Sequence, residues 1–127
     1  MSLEIKIQQS AGTQGAGIVT VQLAGSLNTA SAPDLEKQLA PMLAGQARDI
    51  IFDLAKLKFI TSAGLRIFGA TRKTLKERGG QASFVNLQPQ IEAVFDVIKS
   101  LPGVVVYKNA ADLDRYLALL QSGHSNP

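Results

Sequence analysis

The chain contains no cysteine and no tryptophan, and it has a single histidine among 127 residues. Without cysteine it can form neither a disulfide nor a thiolate metal site, which is consistent with a reducing cytoplasm. Aromatic residues make up only 6% of the sequence, and the formal net charge is a modest +3. A small positive charge without interleaved aromatic residues falls short of a nucleic-acid-binding pattern. We therefore expect no nucleic acid among its partners.

Long apolar runs are also missing from the sequence. No stretch reaches transmembrane length, and the N-terminus lacks the basic and then apolar pattern of a secretory signal. These absences predict a cytoplasmic protein with no direct membrane insertion. Hydrophobic residues nevertheless make up 46% of the chain, which is enough for the core of one domain. We expect that domain to cover residues 1–121, followed by a flexible tail at residues 122–127.

The hydrophobic periodicity changes along the chain in a way that is typical of an α/β protein. Apolar and polar residues alternate in residues 3–7 and again in residues 19–23, after a glycine-rich turn, which predicts an antiparallel hairpin. Residues 50–54 are apolar without alternation and predict a central strand covered on both faces. Further strands are predicted at residues 82–86 and 104–107.

About four helices are predicted between and after these strands. Helix-start residues for the first are Thr29, Ser31, Pro33 and Asp34, and Pro41 should kink or end it, with Gly45 as a later stop. The second follows Ser62 and runs to about residue 78, the third opens at Pro89, and the fourth covers roughly residues 110–120. Strands that alternate with helices predict one mixed, mostly parallel sheet, in which the N-terminal hairpin is the antiparallel exception.

The segment at residues 59–65, which joins a strand to a basic helix, places Ser62 at the junction. A serine nucleophile would need a positioned base, but the single histidine is His124 in the polar tail. Neither a nucleophile elbow nor a phosphate-binding glycine pattern is present. Asp49 and Asp53 flank the central strand without an acidic or histidine partner, so we interpret them as polar strand-end residues. We expect no enzyme activity, no catalytic residue, no cofactor and no metal ion.

Ser62 has two compatible interpretations. Its hydroxyl can cap the helix by accepting a hydrogen bond from a free backbone N–H group, a role that Thr61 could share. The same helix start carries partial positive charge and can accommodate a phosphate group on Ser62. The basic side chains of the helix form either a solvated face or an attraction for an acidic partner; they are Arg66, Arg72, Lys73, Lys76 and Arg78.

Three stretches carry a family resemblance, at residues 21–28, 51–65 and 89–101. Over nearly all of its length, the chain resembles a STAS domain of the bacterial anti-sigma factor antagonist type. The signature of that family commonly reads acidic residue, serine, serine or alanine, glycine and leucine, and its first serine is phosphorylated by a partner kinase. Ser62 occupies that position here.

The resemblance implies a regulator that works by partner switching. Unmodified, it would bind an anti-sigma factor with a histidine-kinase-like ATPase fold, and phosphorylation of Ser62 by that partner would break the complex. A phosphatase is a further possible partner. The resemblance implies a contact surface that comprises Ser26, Asn28, Thr29, Thr61, Ser62, Ala63, Gly64, Arg66 and Lys73.

Two positions depart from the family pattern. Thr61 stands where many phosphorylated members have aspartate, and Asn28 stands where they often have a second aspartate near the serine. Both changes remove negative charge from the surroundings of Ser62. The same fold also serves in other assemblies, so the alternative is a non-switching adaptor subunit of a lipid-transport or stress-signalling complex.

Overall fold

The computed structural model describes residues 3–10, 17–45, 47–100, 114, 115, 117–119 and 121. In chain order the elements are β1 (Leu3–Ser10), β2 (Gly17–Leu27), α1 (Ala32–Ala44), β3 (Ala47–Ile60), α2 (Ser62–Glu77), β4 (Gln81–Val85) and α3 (Pro89–Ser100). The described residues between 114 and 121 are also helical, and we call them the C-terminal helical segment. The strand predicted at residues 104–107 and the tail predicted at residues 122–127 lie outside the described residues.

The four described strands form one mixed sheet in the order β1-β2-β3-β4. β1 and β2 pair antiparallel, with Ile5 opposite Leu23. β2, β3 and β4 pair in parallel, and Val21, Phe52 and Phe84 lie side by side across them. Because parallel neighbours need a crossover, α1 connects β2 to β3 and α2 connects β3 to β4. The predicted α/β fold with its antiparallel N-terminal hairpin is confirmed.

A cluster of phenylalanine rings fastens the helices to one face of the sheet. The rings of Phe52 and Phe84, on neighbouring strands, have centroids 5.3 Å apart. Phe68 of α2 lies 4.9 Å from Phe52, and Phe95 of α3 lies 5.2 Å from Phe84. Stacked, tilted and edge-on ring pairs at these distances are favourable contacts in addition to the area that they bury. Although aromatic residues are few, four of them meet at the place where α2, α3 and the sheet join.

The prediction that β3 is covered on both faces is wrong. Ile50, Phe52 and Leu54 are completely buried, whereas Ile51 and Asp53, which point to the opposite face, are only half-buried. The reason is that the helices α2 and α3 pack against the face that carries the phenylalanine cluster. Side chains alternate between the two faces along a strand. Of the apolar residues in this run, only Ile51 therefore lies on the more open face, and the run as a whole did not indicate that both faces are covered.

Arg78 links the C-terminal end of α2 to the C-terminal end of α1. α1 continues past Pro41 to Ala44, and Gly45 ends it as predicted. The guanidinium group of Arg78 donates to the carbonyl oxygens of Leu43, Gly45 and Ala47, and the bond to Ala47 measures 2.7 Å. These bonds satisfy carbonyl groups at the end of α1. Arg78 therefore has a structural role that its interpretation as part of a solvated basic face did not include.

Both candidate strand-end carboxylates make structural hydrogen bonds. Asp49 Oδ1 accepts a bond of 2.9 Å from the Gln81 N–H group at the start of β4. Asp53 Oδ1 accepts bonds of 3.1 Å from Asn86 Nδ2 and from the Ala55 N–H group. The bond from Asn86 is the main reason that the pKa of Asp53 lies below its usual value, and the bond from Ala55 acts in the same direction. The charged form of Asp53 thus stabilises the junction of β3 and β4.

The hydrogen bonds of Asp53 predict a dependence of stability on acid. Because the pKa of Asp53 is lower in the folded chain than in the unfolded chain, its contribution is present above about pH 4 and is lost as the pH falls through the folded-state pKa. We expect Asp53→Asn to reduce the loss of unfolding free energy between pH 5 and pH 3, as measured by urea denaturation at each pH. Asn86→Ala, which removes the main donor, should reduce the loss in the same way. An unchanged loss in both variants would contradict the assignment.

Candidate functional site

The sheet topology brings the two predicted parts of the site to one edge. Leu27 at the end of β2 lies beside Ile60 at the end of β3. The Thr61 N–H group donates a 3.0 Å hydrogen bond to the Leu27 carbonyl oxygen, which continues the pairing beyond the strands. The loop after β2 and the start of α2 are therefore neighbours, as expected where parallel strands end at the same edge of a sheet.

The loop after β2 is stabilised by a reciprocal pair of hydrogen bonds. Asn28 Oδ1 accepts bonds of 3.0 Å from the N–H groups of Ala30 and Ser31, while Ser31 Oγ accepts a bond of 2.9 Å from the Asn28 N–H group. Ser31 Oγ also donates to the carbonyl oxygen of Ser26 at 2.8 Å. Asparagine caps a helix start as well as aspartate does. Asn28 thus forms the turn before α1 without a charge, and Thr29 is exposed at its tip.

Thr61, and not Ser62, is the N-cap residue of α2. Its backbone is extended, with φ −113° and ψ 179°, and its carbonyl oxygen accepts the helical hydrogen bond of the Leu65 N–H group. The Thr61 side chain makes no capping bond, and within the described residues its buried Oγ1 has no hydrogen-bond partner. The interpretation of Ser62 as the N-cap is therefore wrong, because Ser62 is the first residue inside the helix.

A carboxylate from a distant part of the chain supplies the missing cap. Asp114 Oδ1, in the C-terminal helical segment, accepts a 2.6 Å hydrogen bond from the Ser62 N–H group. About two turns further on, Gln121 accepts a 2.8 Å bond from the Ile60 N–H group and returns a 2.8 Å bond from Nε2 to the Ile60 carbonyl oxygen. The C-terminal helical segment is thus docked on the junction of β3 and α2. Sequence reasoning missed both residues, since no local pattern links positions 52 and 61 residues apart.

Ser62 is largely buried at the start of α2. Only 8% of the residue is exposed. The helix start therefore presents a small neutral residue, and the backbone N–H group of that residue already donates a hydrogen bond to Asp114.

Gly64 allows α2 to lie close to the ends of both strands. A Cβ atom at this position would stand 2.6 Å from Leu27 Cγ and 2.9 Å from Ile60 Cγ1. Such distances are shorter than side-chain atoms tolerate, so the packing requires glycine. The glycine of the signature segment has a structural reason that the sequence pattern alone did not reveal.

The predicted contact residues divide into exposed, half-buried and buried groups. Thr29, Arg66 and Lys73 are exposed, and Arg66 and Lys73 stand seven residues apart, on one face of α2. Asn28, Thr61 and Ala63 are half-buried, whereas Ser26, Ser62 and Gly64 are buried.

The described residues include neither a metal-binding cluster nor a membrane-spanning helix. No three histidine, cysteine, aspartate or glutamate side chains of this part of the chain are grouped so that they could hold a metal ion. No helix of the same part is long and apolar enough to cross a membrane.

The sequence has clear relatives. Residues 7–113 match the family model of the STAS domain. The anti-sigma-B factor antagonist of Bacillus subtilis strain 168 is 30% identical over 97 residues, which cover 76% of this chain and 84% of that protein.

The fold has solved counterparts as well. SpoIIAA in its unphosphorylated form matches with a TM-score of 0.59 and 19% identity, covering 87% of this chain and 97% of SpoIIAA. The Bacillus cell fate determinant SpoIIAA in its phosphorylated form matches with a TM-score of 0.58 and 20% identity, over 72% of this chain and 82% of the other. At these identities the matches show a common fold.

The packing around Gly64 predicts opposite effects for two glycines of one helix. Gly64→Ala should lower the free energy of unfolding by about 1 to 3 kcal/mol, because the new methyl group overlaps Leu27 and Ile60. Gly69→Ala is the matched control. No atom lies within 4 Å of a Cβ at Gly69, so the gain in helix propensity should raise the free energy by up to about 1 kcal/mol. Urea denaturation measures both changes, and equal effects would contradict the packing argument.

Proposed function

The chain belongs to the STAS domain family, and we propose that it is an anti-sigma factor antagonist that works by partner switching through Ser62. In this proposal the unmodified protein binds an anti-sigma factor with a histidine-kinase-like ATPase fold, which frees the sigma factor. The partner then phosphorylates Ser62, the complex dissociates, and a phosphatase restores the first state. The protein itself is a regulator without catalytic activity. The relatedness to an anti-sigma-B factor antagonist supports the role.

The position of Ser62 at the start of α2 is the observation that carries the proposal. The first turn of a helix has free N–H groups and a partial positive charge, both of which favour a phosphate group. SpoIIAA, which has the same fold, is known in a phosphorylated and in an unphosphorylated form. A phosphorylated form is therefore compatible with the fold.

The small exposed fraction of Ser62 explains why one modification would be sufficient to break a complex. A partner that packs against the start of α2 meets a neutral, largely buried side chain. Phosphorylation puts about two negative charges into that contact, and an unpaired charge in a closed interface costs several kcal/mol. Since each 1.4 kcal/mol changes affinity about tenfold, the affinity would fall by orders of magnitude.

The exposed residues around Ser62 define the surface that we propose for the partner. Thr29 at the tip of the loop and Arg66 and Lys73 on α2 offer side chains to a docking protein, and Ala63 in the first turn of α2 is half-buried. The remaining members of the predicted set act from below this surface: Ser26, Asn28, Thr61 and Gly64 hold the loop and the helix start in place. The two basic side chains favour an acidic patch on the partner.

The proposed modification can be tested by intact mass. We expect incubation with ATP and the cognate anti-sigma factor kinase to add one phosphate to the wild-type chain and none to Ser62→Ala. Ser83→Ala, which removes a half-buried serine of β4, is the control and should be modified like the wild type. A mass gain in Ser62→Ala would contradict the choice of site. Stable binding to a partner with no mass gain in any variant would favour the non-switching adaptor role.

The proposed surface can be tested by charge reversal. Arg66→Glu should weaken binding to the same partner by about tenfold, because it replaces attraction to an acidic patch with repulsion. Lys37→Glu reverses an exposed charge on α1 that is not part of the proposed surface, and it should leave the affinity unchanged. Isothermal titration calorimetry at two salt concentrations measures both effects. Equal weakening in the two variants would point to net charge rather than to this surface.

A further inference from the structure

The C-terminal helical segment is attached to the site at two points. Asp114 binds the Ser62 N–H group, and Gln121 binds both backbone polar groups of Ile60. Ile60 is completely buried and Gln121 is 4% exposed, while Leu117 between the two contacts is also completely buried. Removal of the segment would leave the backbone groups of Ile60 without these partners, so the docked state is specific.

The contact with Asp114 is electrostatic as well as geometric. A carboxylate at a helix start is stabilised by the partial positive charge of the helix and by a charge-assisted hydrogen bond, which here measures 2.6 Å. The bond goes to the backbone of the same residue whose hydroxyl is the proposed site of modification. A phosphate on Ser62 would therefore stand within a few ångströms of the Asp114 carboxylate.

Two anions cannot share this helix start without cost. The phosphate carries about two negative charges and seeks the same N–H groups that now favour Asp114. Like charges at such short range, partly shielded from water, repel strongly. Gln121, at the other contact, is neutral, so the repulsion acts at Asp114. The segment is then held by the hydrogen bonds of Gln121 and the burial of Leu117, without the bond of Asp114.

We propose that phosphorylation of Ser62 releases the C-terminal helical segment, because the phosphate displaces Asp114 from the start of α2. This inference rests on the proposed function for its trigger and adds to it a second, conformational output of the same modification. The coupling is reciprocal: a docked segment disfavours the phosphorylated state, and a phosphate disfavours docking.

Hydrogen exchange on a chemically defined protein tests the coupling. Phosphoserine is incorporated at position 62 during translation of the full chain, so that no kinase is required. We expect amides at residues 114–121 to exchange about tenfold faster or more than in the unmodified chain, as followed by mass spectrometry. Amides of β3 at residues 50–54 serve as the internal reference and should keep their rates.

A charge-removing variant separates repulsion from a general disturbance. Asp114→Asn keeps an oxygen that can accept the Ser62 N–H bond but carries no charge, so the effect of phosphoserine should fall to about twofold or less. Asp34→Asn is the matched control, because Asp34 lies in the first turn of α1. It should retain the full effect.

Three outcomes would overturn the inference: no acceleration at residues 114–121, the same acceleration in Asp114→Asn, or an equal acceleration in β3. None of them depends on a kinase. If the kinase assay fails while the exchange result is as expected, the proposed function is wrong but the coupling exists. If the kinase modifies Ser62 and the exchange rates stay constant, the function stands and the coupling is wrong.

Discussion

The close approach of α2 to the ends of β2 and β3 is the constraint on which the site depends. Gly64 leaves no side chain between the helix and Leu27, and the Thr61 N–H group completes the approach with a hydrogen bond to the backbone of β2. This approach puts the start of α2 beside the loop that follows β2. A bulkier residue at position 64 would lift the helix start and separate Ser62 from that loop.

The negative charge at the helix start comes from an unexpected source. The sequence places neutral residues at Thr61 and Asn28, and the structure shows that Asn28 Oδ1 accepts hydrogen bonds within the turn before α1. The carboxylate that binds the helix start is Asp114, which reaches it from the far end of the chain. The local sequence around Ser62 is therefore an incomplete description of its electrostatic surroundings.

Most of the fold could be predicted from the sequence, because it is written in local patterns. Alternating apolar residues predicted the hairpin. Pro89 predicted the start of α3 and Gly45 the end of α1, and the structure has both boundaries there. The segment around Ser62 was recognised for the same reason. Tertiary contacts could not be predicted: the unequal burial of β3, the burial of Ser62 and the contacts of Asp114 and Gln121 depend on which distant elements meet. No periodicity in a single segment encodes such a meeting.

Arg78 gives α2 a mechanical property that its first turn alone would not. At one end the helix is held by the packing of Gly64, and at the other end the guanidinium group of Arg78 is bound to three carbonyl oxygens at and after the end of α1. Because both of its ends are held in this way, α2 cannot tilt when another protein binds to it. A protein that docks along the exposed side of α2 meets a rigid template and must itself supply the adjustment, so little conformational entropy is lost on this side of the contact.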